Sequence, residues 1–346
     1  MSAASHPEPD SMRAPTRRVL VALVGISLLV AVVAWGAHQA GADTGRSPEV
    51  AGAPELTEQQ QMQASNEMNA WKAVVLGVVE GVTEYLPISS TGHLVVTQRL
   101  LDIGNDSVTK DAADSYAIAI QFGAILAVLV LYRRRILLIL NGLIGRSADG
   151  RQLLTSLVLA FLPAVIVGVT LEKPIKENLL GPVAVVIAWV VGGIVLLIVA
   201  PRISPTRPGV RLTAISRRQA LIIGAAQVLA MWPGTSRSLV TILAALAVGT
   251  TLSAAVEFSF LLGLMTLGAA TLYESAQNGA TVIDAYGVAS PLIGVIVAFI
   301  SAAVAIRWMV TWLETRSLAI FGWERLTVSA ITVGLLVTGV ISAATV

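Results

Sequence analysis

The chain contains no cysteine, so disulfides and thiolate chemistry are excluded and the redox compartment is not legible. Charge is scarce as well: 13% of the 346 residues are Asp, Glu, Lys or Arg, against roughly 25% in an ordinary soluble domain. Aromatic residues make up 5%. Gly142, Gly145 and Gly150 do not form a Walker loop, and no His/Cys zinc pattern occurs. What the chain does have is aliphatic mass, with hydrophobic residues at 55%. A soluble fold would have too little polar surface to cover it. A disordered chain, a disulfide scaffold and a soluble enzyme are therefore excluded, and the bilayer is the natural solvent.

A membrane helix needs about 20 apolar residues. The first such run, 19–37, is uncharged and follows Arg13, Arg17 and Arg18. It exceeds a signal-peptide core and lacks a prompt cleavage site, so the expectation is an uncleaved anchor. Residues 38–66 are polar, rich in Gly, Pro, Glu and Gln, and read as a flexible tether. The predicted organisation is an extension over 1–67 and a membrane-embedded domain over 68–346. Within that domain the spans are 116–132, 153–171, 182–200, 255–273, 288–306 and 326–345.

Two further apolar segments are interrupted. Residues 69–101 break at Leu86-Pro-Ile-Ser-Ser-Thr-Gly-His93, and residues 218–249 break at Trp232-Pro-Gly-Thr-Ser-Arg-Ser238. Broken backbone at membrane depth is tolerated only where protein or a wet cavity surrounds it. Each segment therefore reads as a re-entrant helix–turn–helix hairpin. The two also resemble each other: Gly77 to Glu80 align with Gly224 to Gln227. With one gap, Pro87, Ser89 and Ser90 align with Pro233, Thr235 and Ser236. A repeat of roughly 145 residues with interrupted segments points to inverted repeats and a site at their interface. The expected fold is an all-α polytopic membrane protein with one extra N-terminal helix.

Charge placement sets orientation. Arg133, Arg134, Arg135, Arg146 and Arg151 form one basic loop, and Arg202, Arg207, Arg211, Arg217 and Arg218 another. Both are expected inside by the positive-inside rule. The 102–114 loop, with Asp102, Asp106, Asp111 and Asp114 against Lys110, is expected outside, as is the 171–181 connection.

Charges left inside apolar segments mark function. Glu80 and Glu84, at i and i+4, share a helix face. Two neighbouring carboxylates do not both ionise easily without a cation, an arginine or a shared proton. They suit a divalent metal or an acid/base pair, the plain alternative being a helix end in water. Ser89, Ser90, Thr91 and His93 follow at the turn. Alone they read as N-caps and a buried imidazole; beside two carboxylates they read as a nucleophile and base set. Ser236, Arg237 and Ser238 occupy the mirrored turn. A helix N-terminus there, with the planar fork of Arg237, suits a phosphate, and Thr241 lies one turn further on. An arginine snorkelling to the interface is the structural alternative. The constellation fits phosphoryl chemistry on a lipid headgroup.

These residues resemble a known family. Gly77-Val-Val-Glu-Gly-Val-Thr-Glu-Tyr-Leu-Pro-Ile-Ser-Ser-Thr-Gly-His93 and Pro233-Gly-Thr-Ser-Arg-Ser238 are similar to the paired signatures of bacterial undecaprenyl-diphosphatases of the bacitracin-resistance type. Gln121-Phe-Gly-Ala-Ile-Leu-Ala-Val128 and Glu257-Phe-Ser-Phe-Leu-Leu-Gly263 also resemble that family. The resemblance, from about residue 68 onward, implies hydrolysis of undecaprenyl diphosphate to undecaprenyl phosphate and phosphate. That reaction recycles the lipid carrier of the cell wall. It implies catalytic roles for Glu80, Glu84, Ser90, His93 and Arg237. Ser89, Thr91, Ser236, Ser238 and Thr241 would assist phosphate binding. It further implies a divalent cation, Mg2+ or Ca2+, on Glu80 and Glu84, and a multi-pass protein of the bacterial plasma membrane with its site toward the outer face. The expected partners are the polyprenyl diphosphate and the bilayer, not nucleic acid; a homodimer is left open. Ser90 is the expected nucleophile or phosphate ligand, with His93 as acid/base.

Two positions depart from the family pattern. Leu239 replaces a glycine after the second motif, and the near-C-terminal aromatic–Tyr–Arg pattern reads Phe321-Gly-Trp-Glu-Arg325. The competing reading is a transporter or flippase for a polyprenyl phosphate or another anion. Inverted repeats serve transport equally well, but transport has little use for Ser90 with His93.

Overall fold

The computed structural model describes residues 64–342 except 66, 106–108, 180 and 207, with backbone alone at 169 and 171–179. The expected helix 19–37, most of the tether, Asp106 and Arg207 lie outside the described residues. Within them the chain is helical. The order is α1 (Ala70–Thr83), α2 (Ser90–Leu100), α3 (Lys110–Leu131), α4 (Arg133–Leu143), α5 (Ala148–Leu179) and α6 (Pro182–Val199). Then come α7 (Arg217–Gln227), α8 (Arg237–Ala247), α9 (Leu252–Tyr286), α10 (Ala289–Thr315) and α11 (Ala319–Val337). Helices α3, α5, α6, α9, α10 and α11 are long and apolar enough to cross a membrane, so the chain is a multi-pass membrane protein.

Local chemistry starts these helices where they start. The Asn69 side chain accepts from Lys72 N at the head of α1, Ser216 and Gln219 form a reciprocal capping box on α7, and Thr251 caps α9. Helix α6 begins with Pro182 in its first turn, where a missing N–H costs nothing.

The two interrupted segments are paired helices, α1–α2 and α7–α8, and each returns to its own starting end. Lys72 Nζ donates to Leu101 O at 2.6 Å across the base of the first. Gln219 Nε2 donates to Val248 O at 2.8 Å across the base of the second. The first base abuts the start of α3. The second abuts the start of α9, where Glu257 pairs with Arg135 just beyond the far end of α3. Since α3 has 22 residues, the two bases are separated by its length, about 33 Å. The hairpins thus open at opposite ends and meet at their tips.

The repeat is more regular than the sequence alignment implied. Ala70 and Arg217, Ser89 and Ser236, and Leu100 and Ala247 begin, break and end the matched helices, each pair 147 positions apart. Ser89 (φ 78°, ψ 104°) and Ser236 (φ 74°, ψ 112°) share one left-handed backbone conformation. No gap is needed: Ser89 matches Ser236, and Ser90 matches Arg237, not Ser236. The gap arose from matching hydroxyls by type, whereas the backbone break sets the register.

Helix α10 lies between α1 and α3, which approach through glycine. A Cβ on Gly81 would stand 2.3 Å from Ala298 O, and one on Gly123 2.2 Å from Val295 O. Such contact replaces the hydrophobic driving force that lipid withholds.

Several boundaries differ from expectation. The last span is Ala319–Val337 rather than 326–345, because Glu324 and Arg325, left outside the apolar run, lie inside the helix. Helix α5 continues to Leu179, through most of the stretch read as a 171–181 connection; apolarity ends before the helical hydrogen bonding does. At the N-terminal edge, Ala64 is buried against Met68, Ala73 and Leu76, and Glu67 accepts from Gly104 N and Thr109 Oγ1. Those residues of the presumed extension therefore pack on the domain.

Candidate active site

The hairpin tips bring Glu84, Ser90 and Arg237 together. Glu84 caps the end of α1, Ser90 opens α2, and Arg237 opens α8. Arg237 Nη2 donates to Glu84 Oε1 at 3.2 Å, and Nη1 donates to Ser259 O on α9 at 3.0 Å. Ser90 Oγ donates to Glu84 Oε2 in a short hydrogen bond, and Gln121 Nε2 reaches the same oxygen at 3.5 Å. One carboxylate therefore holds an arginine and a hydroxyl from opposite hairpins. Gln121 is the twelfth of 22 residues in α3, which puts the cluster about half-way along that helix.

Packing holds the guanidinium from two sides. Its plane lies against Gly263, where a Cβ would stand 2.1 Å from Nη1. The Tyr85 ring lies beneath it, 5.4 Å from centroid to Cζ, a cation–π arrangement. Arg237 Nε is buried and has no hydrogen-bond partner, so part of the fork is held ready with nothing to bind.

Glu80 is 0% exposed, and neither of its oxygens has a hydrogen-bond partner. A buried carboxylate in that state is costly unless a proton or cation joins it. Among the described residues there is no group of three or more His, Asp or Glu side chains able to hold a metal alone. Two carboxylates fit a hard cation that takes its other oxygens from water and substrate phosphate, so the residues present are compatible with the divalent ion.

The remaining predicted residues divide. Ser238 Oγ donates to Leu86 O at 2.8 Å and stands 3.0 Å from Ser236 Oγ, which accepts from Leu239 N. Thr241 Oγ1 bonds Arg237 O at 2.8 Å and Ser259 Oγ at 2.7 Å. These hydroxyls hold the turns together. Ser89 supplies its carbonyl to His93, and Thr91 is exposed at the head of α2. Leu239, the departure noted in the second motif, is buried in the main core cluster.

The His93 ring does not hydrogen-bond to the Ser90 hydroxyl. Its Nδ1 lies 2.7 Å from Ser89 O, and its Nε2 lies 2.8 Å from Glu324 Oε1. Its ring stands 4.8 Å from that of Trp189, whose Nε1 donates to Ile88 O at 2.9 Å. The carboxylate beside the Ser90 hydroxyl is Glu84.

Sequence reasoning gave no role to two residues of the Phe321–Arg325 stretch. Arg325 is 0% exposed and binds both turns at once. It donates to Pro87 O of the first hairpin at 3.3 Å, and to Gly234 O and Thr235 O of the second at 2.8 and 3.3 Å. It also bonds Ala188 O and Trp189 O on α6, lying flat against Gly192. Glu324, beside it, reaches His93. An acid and an arginine within an apolar run were the available signal, lost by starting the last span one residue later.

The fold and the site define a membrane protein of paired, oppositely opening hairpins, with an arginine–carboxylate–hydroxyl centre where their tips meet. Residues 73–331 match the model of the family described as bacitracin resistance protein BacA, and the chain belongs to that family. It is similar to an undecaprenyl-diphosphatase of Sorangium cellulosum, 41% identical over 75% of this chain and 84% of the relative. Undecaprenyl-diphosphatase 2 of Rhodospirillum rubrum is 41% identical over 78% of this chain and 96% of its own length. Undecaprenyl-diphosphatase 3 of Acinetobacter baylyi is 38% identical over 76% and 97%.

Proposed function

We propose that the chain hydrolyses undecaprenyl diphosphate to undecaprenyl phosphate and inorganic phosphate, regenerating the lipid carrier of wall polymers and conferring resistance to bacitracin. The observation that carries the reading is Glu84, which binds Arg237 from one hairpin and the Ser90 hydroxyl from the other. An arginine fork alone would serve anion transport. A hydroxyl hydrogen-bonded to a buried carboxylate beside that fork serves attack on phosphorus.

In this mechanism the terminal phosphate takes the Arg237 fork, competing with Glu84 for it and satisfying Nε. Glu84 accepts the Ser90 proton as Oγ forms its bond to the terminal phosphorus. The bridging P–O bond breaks, and its electron pair leaves with undecaprenyl phosphate. Water then attacks the phosphoserine; Ser90 regains its proton from Glu84 as inorganic phosphate departs. Glu80 and Glu84 would hold a divalent cation, Mg2+ or Ca2+, which supplies charge neutralisation to the diphosphate. The work of the chain is positioning and electrostatic stabilisation.

The site faces outward in this reading. The hairpin carrying Ser90 and His93 opens beside the loop with Asp102 and Asp111, and the other opens beside Arg211, Arg217 and Arg218, which positive-inside placement keeps in the cytoplasm. Both hairpins are then re-entrant, with their tips near the bilayer midplane, where repeat proteins build their sites.

The test is phosphate release from undecaprenyl diphosphate by the purified chain in detergent, with and without chelator. Chelator-sensitive release that Arg237→Ala and Ser90→Ala both abolish supports the reading. No release from the wild-type protein, with or without added Mg2+ or Ca2+, overturns it.

A further inference from the structure

The diphosphatase reading gives no task to Glu324, although it makes the one side-chain hydrogen bond to an imidazole in the site. His93 Nδ1 faces Ser89 O at 2.7 Å. A carbonyl oxygen only accepts, so Nδ1 carries a proton. Nε2 then faces Glu324 Oε1 at 2.8 Å, and a contact of that length between a ring nitrogen and a carboxyl oxygen requires a proton between them. Both ring nitrogens are thus engaged, and one proton is shared by the pair.

The surroundings hold that arrangement. The imidazole is 15% and the carboxyl 29% exposed, so the pair sits at the open edge of an otherwise buried cluster. Trp189 of α6 covers the ring. Arg325, the residue after Glu324, is anchored on five carbonyl oxygens from α6 and both turns, which fixes the register of α11 against the hairpin tips. Glu324 Oε2 is buried and without a hydrogen-bond partner. His93 lies one turn beyond Ser90 on α2, so the two side chains share a helix face.

We propose that Glu324 is a positioning residue for His93. It locks the ring with Nδ1 protonated and keeps a second proton at Nε2, making His93 a general acid rather than the attacking group. As the bridging P–O bond breaks, the Nε2–H bond breaks and the leaving oxygen of the lipid phosphate takes that proton. The water that cleaves the phosphoserine returns a proton to Nε2. The kinetic side rests on the diphosphatase reading; the proton arrangement does not.

Two measurements on the full chain in detergent keep these apart. Nitrogen NMR of ring-labelled histidine reports three residues, His6, His38 and His93, with His93 assigned from a His93→Gln variant. The expected spectrum has a protonated Nδ1 and a hydrogen-bonded proton at Nε2. Glu324→Ala removes the second signal and leaves the first. A bare Nδ1 in the wild type, or an unchanged spectrum in Glu324→Ala, overturns the proposal. In kinetics, Glu324→Gln lowers kcat by about 10- to 100-fold with KM unchanged, and Glu324→Asp recovers part of the loss. In a His93→Gln background Glu324→Gln adds less than about twofold, since residues acting as one unit are not additive. Equal losses in both backgrounds show a merely structural glutamate and overturn the positioning role. Wild-type protein that shows the shared proton but releases no phosphate refutes the diphosphatase reading, and with it the general-acid role, while leaving the proton arrangement intact.

Discussion

Glu84 and Arg237 are 153 positions apart in the chain and 3.2 Å apart in the structure. This ion pair is the chemical junction between two hairpins that enter from opposite ends. In the proposed reaction a phosphate takes this fork, so substrate binding exchanges one anion for another and the guanidinium stays paired, while Glu84 is neutralised by the Ser90 proton.

Arg237→Lys tests the fork. Lysine keeps the charge but is a single point donor, losing the planar pair of N–H groups and the stacking on Tyr85. Phosphate release should fall by about 100-fold or more, as when one preorganised donor is removed from a transition state. Near-normal turnover would show that bidentate geometry is not used.

Glu80→Gln separates function from stability. Neither Glu80 oxygen has a hydrogen-bond partner, so the carboxyl depends on a proton or a bound cation. Glutamine keeps the shape but can neither carry that proton nor hold the cation. The expected outcome is a chain that folds with a melting temperature close to wild type when no cation is added. Activity should be largely lost, with the remainder insensitive to chelator. Unchanged activity would remove Glu80 from the site.

The parts of the candidate site legible in the sequence were those where expense was visible. Glu80, Glu84 and Arg237 are charges inside apolar segments, and Ser90 and His93 sit at a Pro-Ile-Ser-Ser break that no simple span allows. The six spans and the two hairpins were legible for the same reason, since lipid leaves few ways to satisfy a backbone. What stayed hidden depends on packing between distant segments. Arg325 and Glu324 fell outside the 326–345 span because a charge beside an apolar run and a charge inside a helix look alike in sequence. Which carboxylate serves which base was likewise hidden: Ser90 meets Glu84 and His93 meets Glu324 only after α11 docks on the tips. The repeat register was obscured because Ser90 and Arg237 share a position without sharing chemistry.

Arg325→Lys should cost more stability than Arg237→Lys. Arg325 donates to carbonyl oxygens of both turns and of α6, and a lysine ammonium cannot span them in one plane. Each acceptor left unpaired in the interior costs about 1–3 kcal/mol. Thermal denaturation in detergent should show both variants destabilised, the Arg325 variant more so, because Arg325 serves five carbonyl oxygens where Arg237 serves Ser259 O and Glu84. If the Arg325 variant melts normally, the two turns are not held by it.

Gly263→Ala probes the cradle without adding or removing any charge. Its added Cβ would stand 2.1 Å from Arg237 Nη1, so the guanidinium must shift away from Ser259 O and Glu84. A displacement of about 1 Å at a reacting group costs on the order of 100-fold. The variant should therefore lose kcat while folding normally, and a wild-type rate would mean that the position of Arg237 is not critical.

Truncation locates the start of the functional unit. Ala64 packs in the cluster around Leu76 and Tyr116, and Glu67 holds Gly104 N and Thr109 Oγ1, tying the base of the first hairpin to the head of α3. Removing 1–60 spares all of these, and turnover should stay within about twofold of the full chain. Removing 1–68 strips the Glu67 anchor and exposes the pocket that Ala64 and Met68 fill, and should lower the melting temperature before it lowers the rate per folded molecule. A 1–60 deletion that folds but releases no phosphate would place part of the site in the extension. Equal stability of the two truncations would show that the segment preceding α1 does not anchor the first hairpin.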